Sequence, residues 1–446
     1  MSQLWIPWHL CPGTFLPRRT VAQGSGPTPP KGPPPLRPQP DFGRKAARPS
    51  AQALRGGIRA AFLTAYVVAA IPLAIWVYLA LARGGFWRLA PYIVARPGGA
   101  ASPRTVVVVI PARNEASAIG LAIASLAGQS FTGPTHVIVV DDGSTDGTAE
   151  AATLAARSSG LSPNLTVIRG AALPQGWTGK LWALSQGISA AARFAPDYLL
   201  FTDADIRHGR DSIDSLVARA EVHDRDLVSH MVRLSTATAA ERLFIPAFVF
   251  FFFKLYPPRW IADPAASTAG AAGGCILIRP QMLARVGGIE AIRSQIIDDC
   301  ALARAVKQAG GRIWLGLSSE TRSVRVYSAA GEIGAMISRT AFSQLGHSYL
   351  LLGATVFGLL CTYVAPLALL FTGNRVAMVL GALAWALMSL CYLPMVRFYA
   401  LSPLWCLCLP LIALFYLGSV LHSAVQYARG RGGKWKGRLQ DARSSG

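Results

Sequence analysis

The chain has 446 residues, with 43 Lys and Arg against 22 Asp and Glu, 52% hydrophobic residues and 15% charged ones. Soluble domains carry roughly 25% charge, so a chain this apolar and this basic is no ordinary water-soluble globule. It is equally far from a wholly disordered chain and from a small disulfide scaffold.

Where the charge sits decides the class of partner. Residues 1–59 hold nine basic residues and one Asp, and residues 428–446 hold six and one. Arg83, Arg88, Arg96, Arg375 and Arg397 flank apolar segments, which leaves 23 basic and 20 acidic residues between Arg104 and Arg339. A nucleic-acid binder concentrates its positive charge on the folded domain. Here the excess lies in tails and beside apolar runs, which fits anionic lipid headgroups and argues against nucleic acid. The seven cysteines form no CxxC pair, so neither zinc nor a redox motif is indicated, and a reducing compartment is expected.

In chain order, the first 50 or so residues are Pro-rich (GPTPPKGPPPLRPQP) and are expected to be disordered or polyproline-like, within a basic tail over 1–59. They do not read as a signal peptide, because the apolar core begins too late. Four stretches reach the ~20 apolar residues that a bilayer crossing needs. These are Phe62–Ala82, Tyr349–Thr372, Val376–Val396 and Pro403–Ala428, giving one membrane helix over 60–83, three over 349–428, and a basic tail over 429–446. Pro72 is tolerable in a membrane helix.

Between residues 101 and 345 the pattern becomes alternating strands and helices. Thr105–Ile110 is a continuous β-branched run, as a buried parallel strand requires. Helix is expected over Ala116–Gly128, strand over His136–Val140, helix over Thr145–Arg157 and strand over Leu165–Ile168. Helix over Gly179–Arg193 and strand over Tyr198–Thr202 follow. This alternation predicts an open α/β sheet, which binds ligands at the carboxyl ends of its strands. Phe244–Leu255 (FIPAFVFFFFKL) is too short to span. With Lys254, Arg259 and Trp260 it suggests a segment dipping into the headgroups, with a buried core helix as the alternative. Ile333–Leu345 reads as a similar surface segment.

Acidic clusters mark the strand ends. Pro111-Ala112-Arg113-Asn114-Glu115 follows the first strand, and Asp141-Asp142-Gly143-Ser144-Thr145-Asp146-Gly147-Thr148 the second. Asp203-Ala204-Asp205 closes the strand YLLFT, and Asp298-Asp299 opens a helical stripe continued by Leu302 and Val306. Carboxylates at strand ends are expensive to desolvate unless a cation or hydrogen-bond donors meet them. An Asp-x-Asp pair presents hard oxygen ligands to Mg²⁺ or Mn²⁺. His208, His223 and His230 show no metal-ligand spacing, and Lys180 lacks the glycine and Ser/Thr of a P-loop. Trp177 and Trp182 read equally as core packing and as sugar contacts.

Together PARNE, VDDGSTDGT, GKLWALSQG, TDAD and IIDDCAL, in that order over Val106–Ser343, resemble the family 2 inverting glycosyltransferases with a GT-A fold. PQGWTGKLWALSQG, FTDADI, AAGGCILIRPQML and ISRTAFSQL are similar to the hopene-associated subgroup of bacterial hopanoid gene clusters, as is one helix before the domain and three after it. The resemblance implies a membrane-bound enzyme moving one sugar from a nucleotide-diphospho-sugar, with a UDP-sugar favoured, to a lipid acceptor such as a hopanoid. It implies Asp299 as catalytic base beside Asp298, with Pro111, Glu115, Asp141, Asp142, Lys180 and Asp203 binding the donor. Asp205, assisted by Asp203, would ligate Mg²⁺ or Mn²⁺.

The stretch Ser338–Gln344 lacks the QxxRW motif of processive synthases, which argues for single-sugar transfer. A polyprenyl-phosphate sugar transferase, a polysaccharide synthase and a non-catalytic membrane scaffold are the alternatives. Because nucleotide sugars are cytosolic, the domain is expected on the cytoplasmic side of the bacterial inner membrane. Four spans would then put both basic tails outside, against the positive-inside tendency, whereas Arg83, Arg88 and Arg96 favour the domain inside.

Overall fold

A computed structural model describes residues 51–89, 104–435 and 438–439. The Pro-rich stretch over 1–50, Arg96 and half of the C-terminal basic tail over 429–446 lie outside the described residues. Two compact units divide the chain, residues 1–68 and 69–446. The described part of the first is the start of helix α1 (Ala51–Ala82), which presents Leu63, Val67 and Val68 as exposed apolar side chains.

In the second unit the α/β elements run β1 (Val106–Ala112), α2 (Ala116–Ala127), β2 (Thr135–Asp141), α3 (Thr148–Ser159), β3 (Leu165–Arg169), α4 (Gly179–Ala191), β4 (Tyr198–Thr202) and β5 (Ile206–Arg207). They continue with α5 (Ser212–Val222), β6 (Leu227–Arg233), α6 (Ala239–Leu255), α7 (Pro258–Ala262), β7 (Cys275–Ile278), α8 (Pro280–Arg285), α9 (Asp298–Gln308) and β8 (Ile313–Ser323). Helices α10 (Ala330–Gln344), α11 (Tyr349–Leu359), α12 (Ala365–Leu369), α13 (Arg375–Phe398) and α14 (Leu409–Ala428) follow.

The expected α/β class holds. Among the described residues, eight strands form one sheet in the order β3-β2-β1-β4-β7-β6-β8-β5. Strand β1 is buried along its whole length, because parallel partners β2 and β4 flank it. The antiparallel strand β7 lies between β4 and β6, pairing Thr202 with Cys275. Its start therefore reaches the edge where β1 and β4 end. Strands β6 and β8 run parallel to each other and end at that same edge. One rim thus collects the ends of β1, β2, β4, β6 and β8 together with the start of β7.

Element boundaries moved where loop chemistry intervened. The helix expected from Thr145 starts at Thr148, because Asp146 turns inward to accept from the Ala116 and Thr148 N–H groups. Gly147 then enters the helix at φ +83°, a left-handed conformation that suits glycine.

Among the described residues, four helical segments are long and apolar enough to cross a membrane: Leu63–Ala82, Tyr349–Leu369, Arg375–Phe398 and Pro403–Ala428. The second ends three residues short of the expected Thr372 and contains a π-helical stretch over Leu360–Val364. The Thr362 carbonyl there accepts a bond from the buried Trp76 indole.

Two surface expectations are corrected. Helix α6 is a core helix, with Phe244, Ile245, Val249, Phe250 and Phe253 buried. Phe250 packs edge-on against Tyr392 of α13, and Phe244 stacks on Phe415 of α14. The stretch Ile333–Leu345 is likewise packed, burying Ile333, Ile337, Phe342 and Leu345. It is stitched to α14 by the Ser338 hydroxyl, which donates to the Ser419 carbonyl, and by the Phe342 N–H, which donates to the Ser423 hydroxyl. Both segments carry enough apolar surface to enter a headgroup layer, but protein helices cover it instead.

Candidate active site

A pocket opens at the rim where the strands end. Pro111 from β1, Thr202 and Asp203 from the end of β4, Gly273 before β7, Lys180 of α4, and Asp298 and Asp299 of α9 all line it. Leu181, Leu184, Ile276, Ile289, Ile292 and Leu302 supply an apolar wall. Four polar positions singled out by the sequence therefore share one cavity: Lys180, Asp203, Asp298 and Asp299.

Lys180 is its electrostatic centre. Its ammonium lies 3.0 Å from Asp203 Oδ1 and 3.3 Å from Asp298 Oδ2. A lysine in the first turn of a helix opposes the helix dipole. Burial alone would lower its pKa, but Asp203, Asp298 and Asp299 together raise it, so it stays charged. Burial raises the Asp203 pKa, with Asp205 and Asp298 adding and Lys180 opposing.

Asp299 is held by backbone. Its Oδ2 accepts from the Gly273 N–H at 2.8 Å and its Oδ1 from the Cys300 N–H at 2.7 Å. A Cβ on Gly273 would stand 3.2 Å from Asp299 Oδ2 and 3.3 Å from the Lys180 ammonium, so glycine permits this close approach. Burial, and then the charge of Asp298, push the Asp299 carboxyl up to about 6 against the pull of Lys180 and both N–H groups. Helix α9 is fixed by Lys307, which donates to the carbonyls of Trp260, Ile261 and Thr268 upstream of Gly273. Tyr256 lies at the end of α6. It accepts from Gln344 of α10, and burial with the nearby Cys300 thiol raises its phenol.

The loops after β1 and β2 interlock beside this pocket. Asn114 takes a bond from the Thr145 N–H and gives its own N–H to Ser144. The Glu115 N–H donates to Thr148, and Asp141 caps the Ser144 N–H at 2.9 Å. Asp142 is 5% exposed, with Arg113 3.6 Å from its carboxylate and donating to its carbonyl. Asp141 is thus a loop-forming residue, while Asp142 and Glu115 sit beside arginines.

Sequence reasoning missed the second basic residue. Arg325, two residues past β8, donates from Nε to Asp205 at 2.9 Å and from Nη2 to Glu115 at 2.7 Å. Ser323 adds a hydroxyl bond to the same Asp205 oxygen. The two aspartates of Asp203-Ala204-Asp205 therefore face different cations, Lys180 and Arg325. No motif in TRSVRVYS marks Arg325, since its partners lie 120 and 210 residues away.

Asp203 and Asp205 supply hard carboxylate oxygens on one loop, the donor chemistry a divalent cation prefers. Among the described residues no three His, Cys, Asp or Glu side chains converge on one ion position. The pair fits such an ion only if its ligand supplies the remaining oxygens.

Residues 107–286, less than half of the chain, match Glycosyl transferase family 2. The 4,4'-diaponeurosporenoate glycosyltransferases of Staphylococcus aureus strains bovine RF122 / ET3-1 and USA300 are each 36% identical over 116 residues, covering 26% of this chain. The matched stretch spans only 28% of the length of those relatives. Among solved structures, a mannosyltransferase from Pyrobaculum calidifontis in complex with GDP-Man and Mn²⁺ aligns over 81% of this chain and 98% of its own, with 19% identity and a TM-score of 0.48. Glucosyl-3-phosphoglycerate synthase from Mycobacterium tuberculosis, in complex with Mn²⁺, UDP-glucose and phosphoglyceric acid, aligns over 58% and 86%, with 20% identity and a TM-score of 0.36.

Proposed function

We propose that this chain, with its family 2 glycosyl transferase domain over 107–286, moves a single sugar from a nucleotide-diphospho-sugar to the hydroxyl of a lipid. The observation that carries this reading is the single pocket joining Lys180, Asp203, Asp298 and Asp299 to an apolar wall, in a chain with four membrane-length helices. A charged donor and a greasy acceptor need those two kinds of surface side by side.

In this reading Pro111, Glu115 and Asp142 hold the nucleoside, Asp141 shapes its loop, and Lys180 with Asp203 receives the diphosphate end. Asp203 and Asp205 would hold Mg²⁺ or Mn²⁺, which when bound neutralises charge on the leaving diphosphate. Asp299 takes the proton from the acceptor hydroxyl as that oxygen bonds to the anomeric carbon. The bond from that carbon to the diphosphate oxygen breaks, and the nucleoside diphosphate leaves with both electrons. Attack from the face opposite the leaving group inverts the centre. A carboxyl raised toward neutral pH suits a general base.

The four membrane-length helices and the carotenoid-type names of the curated relatives support a lipid acceptor. A hopanoid is the narrower reading and rests on the subgroup resemblance of the sequence. Because nucleotide sugars are cytosolic, we place the domain on the cytoplasmic face of the bacterial inner membrane, with a UDP-sugar favoured as donor.

Thermal unfolding of the detergent-purified protein with UDP, GDP or CDP, with and without Mn²⁺, tests the donor site. A nucleotide at 100 times its dissociation constant should add ~2.7 kcal/mol. The expected result is stabilisation by one nucleotide that needs the metal and disappears in Asp205→Ala. No stabilisation by any nucleotide would overturn the reading.

A further inference from the structure

Glu115 and Asp205 are two enclosed carboxylates at the rim, with side chains 13% and 12% exposed. Two carboxylates enclosed at one rim are costly to hold together without a cation between them. Arg325 is that cation: one guanidinium reaches both, through Nη2 and Nε. The Asp205 oxygen it holds is also filled by the Ser323 hydroxyl, and the Val324 N–H donates to the Asp205 carbonyl at 2.9 Å. The turn after β8 therefore meets Asp205 with three donors, from Ser323, Val324 and Arg325, while the Arg325 side chain remains 37% exposed.

We propose that Arg325 is the resident counter-ion of the donor site, and that it leaves Asp205 when a divalent cation arrives. This rests on the donor-site reading above. For Asp205 to ligate a metal through Oδ2, the Nε–H on that oxygen must give way. The released guanidinium still faces the same rim, where an incoming diphosphate offers it a new anion and a bidentate match. Arg325 is then a positioning residue that keeps Glu115 and Asp205 together in the empty site. It also makes bare metal a poor ligand until a nucleotide compensates the arginine.

Mn²⁺ alone, then Mn²⁺ with UDP or GDP, is titrated against the detergent-purified full chain, with Mn²⁺ followed by electron paramagnetic resonance and unfolding followed by heating. In Arg325→Gln the competing donor is gone, so Mn²⁺ alone should bind on the order of ten-fold more tightly than to wild type. The same variant should unfold several degrees earlier in chelator and recover that loss when Mn²⁺ is added. Arg325→Lys keeps the charge but not the fork, and should fall between the two in both readouts; it also serves if the Gln variant does not fold. Mn²⁺ binding no tighter in the variants than in wild type overturns the proposal. If wild type binds Mn²⁺ with a nucleotide and the variants behave identically, Arg325 alone is misassigned. If neither wild type nor variant binds Mn²⁺ under any condition, the metal-bearing donor site falls with it.

Discussion

Asp299 sits between two backbone N–H groups that stabilise its anion and a burial that opposes it. Burial prevails, helped by Asp298, and its carboxyl titrates at about 6. A base must be ionised to accept a proton, so transfer should rise as pH climbs through about 6 and be lost below it. An ordinary aspartate would place that limb near ~4, so a rate profile from pH 4.5 to 8 at saturating donor separates the two cases. An acid limb near 4 would show that a more solvated carboxylate, not Asp299, takes the proton. Asp299→Asn keeps the side-chain size and removes the base, at the cost of one of the two backbone bonds, because an amide nitrogen cannot accept an N–H as a carboxylate oxygen does. Transfer should fall about 10²–10⁴-fold, while nucleotide binding stays within a few-fold of wild type, because Lys180 and Asp203 still face the donor. Equal loss of both would move Asp299 from the chemistry to the donor pocket.

Helix α4 shows how an element carries a residue to its task. Thr178 caps the helix on the Leu181 N–H, and Lys180 follows at once, so the lysine is fixed by the position of the helix. That position depends on Gly187. A Cβ there would stand 2.3 Å from Val109 of β1 and 3.2 Å from Val140 of β2, both rigid β-branched side chains. Gly187→Ala must push α4 off the sheet at a cost of about 1–3 kcal/mol, tilting Lys180 away from Asp203 and Asp298. Thermal unfolding should show the loss, and nucleotide affinity should fall with it although Gly187 touches no ligand. Unchanged stability would mean that the helix and sheet are looser than their spacing implies. Strand β1 and the Asp-Ala-Asp loop were legible in the sequence because a β-branched run and a polar cluster are local signals. Strand β7 was not: Cys275–Ile278 is four residues long, and its antiparallel insertion beside β4 follows from the whole sheet. Arg325 was invisible for a related reason, since an ion pair formed across 120 residues leaves no periodicity. The Phe run of α6 looked interfacial because composition cannot distinguish lipid from protein as the neighbour of an apolar face.

At the scale of the whole molecule, the C-terminal helices are part of the folded core. Tyr392, Met388 and Val396 of α13 and Ile412, Ala413 and Tyr416 of α14 belong to the same buried cluster as Val107, Val109, Leu181 and Phe201 of the α/β layers. Helix α6 is the joint: its Phe250 meets Tyr392, its Phe251 meets Tyr416, and the Tyr416 hydroxyl donates to the Phe244 carbonyl. Lys254 at its end donates to the Tyr363 hydroxyl in the π-helical stretch. Cutting the chain after residue 345 would expose this entire face of α6 together with the α14-facing side of α10. A contiguous apolar surface beyond a few hundred Å² is a docking or aggregation surface in a water-soluble domain. Each large side chain left bare also forfeits about 1.5–3 kcal/mol of burial, and a handful of them equals the stability of a typical domain. Residues 69–345 expressed alone should therefore be aggregated or molten, without a cooperative thermal transition, even though they include the whole family match and every proposed site residue. The full chain in detergent should unfold cooperatively, with stabilisation by nucleotide reaching α13 and α14 as slowed hydrogen exchange. A truncated domain that folds and binds nucleotide normally would show that α6 is only resting against the membrane-length helices. The C-terminal helices would then be an attachment separable from the proposed site.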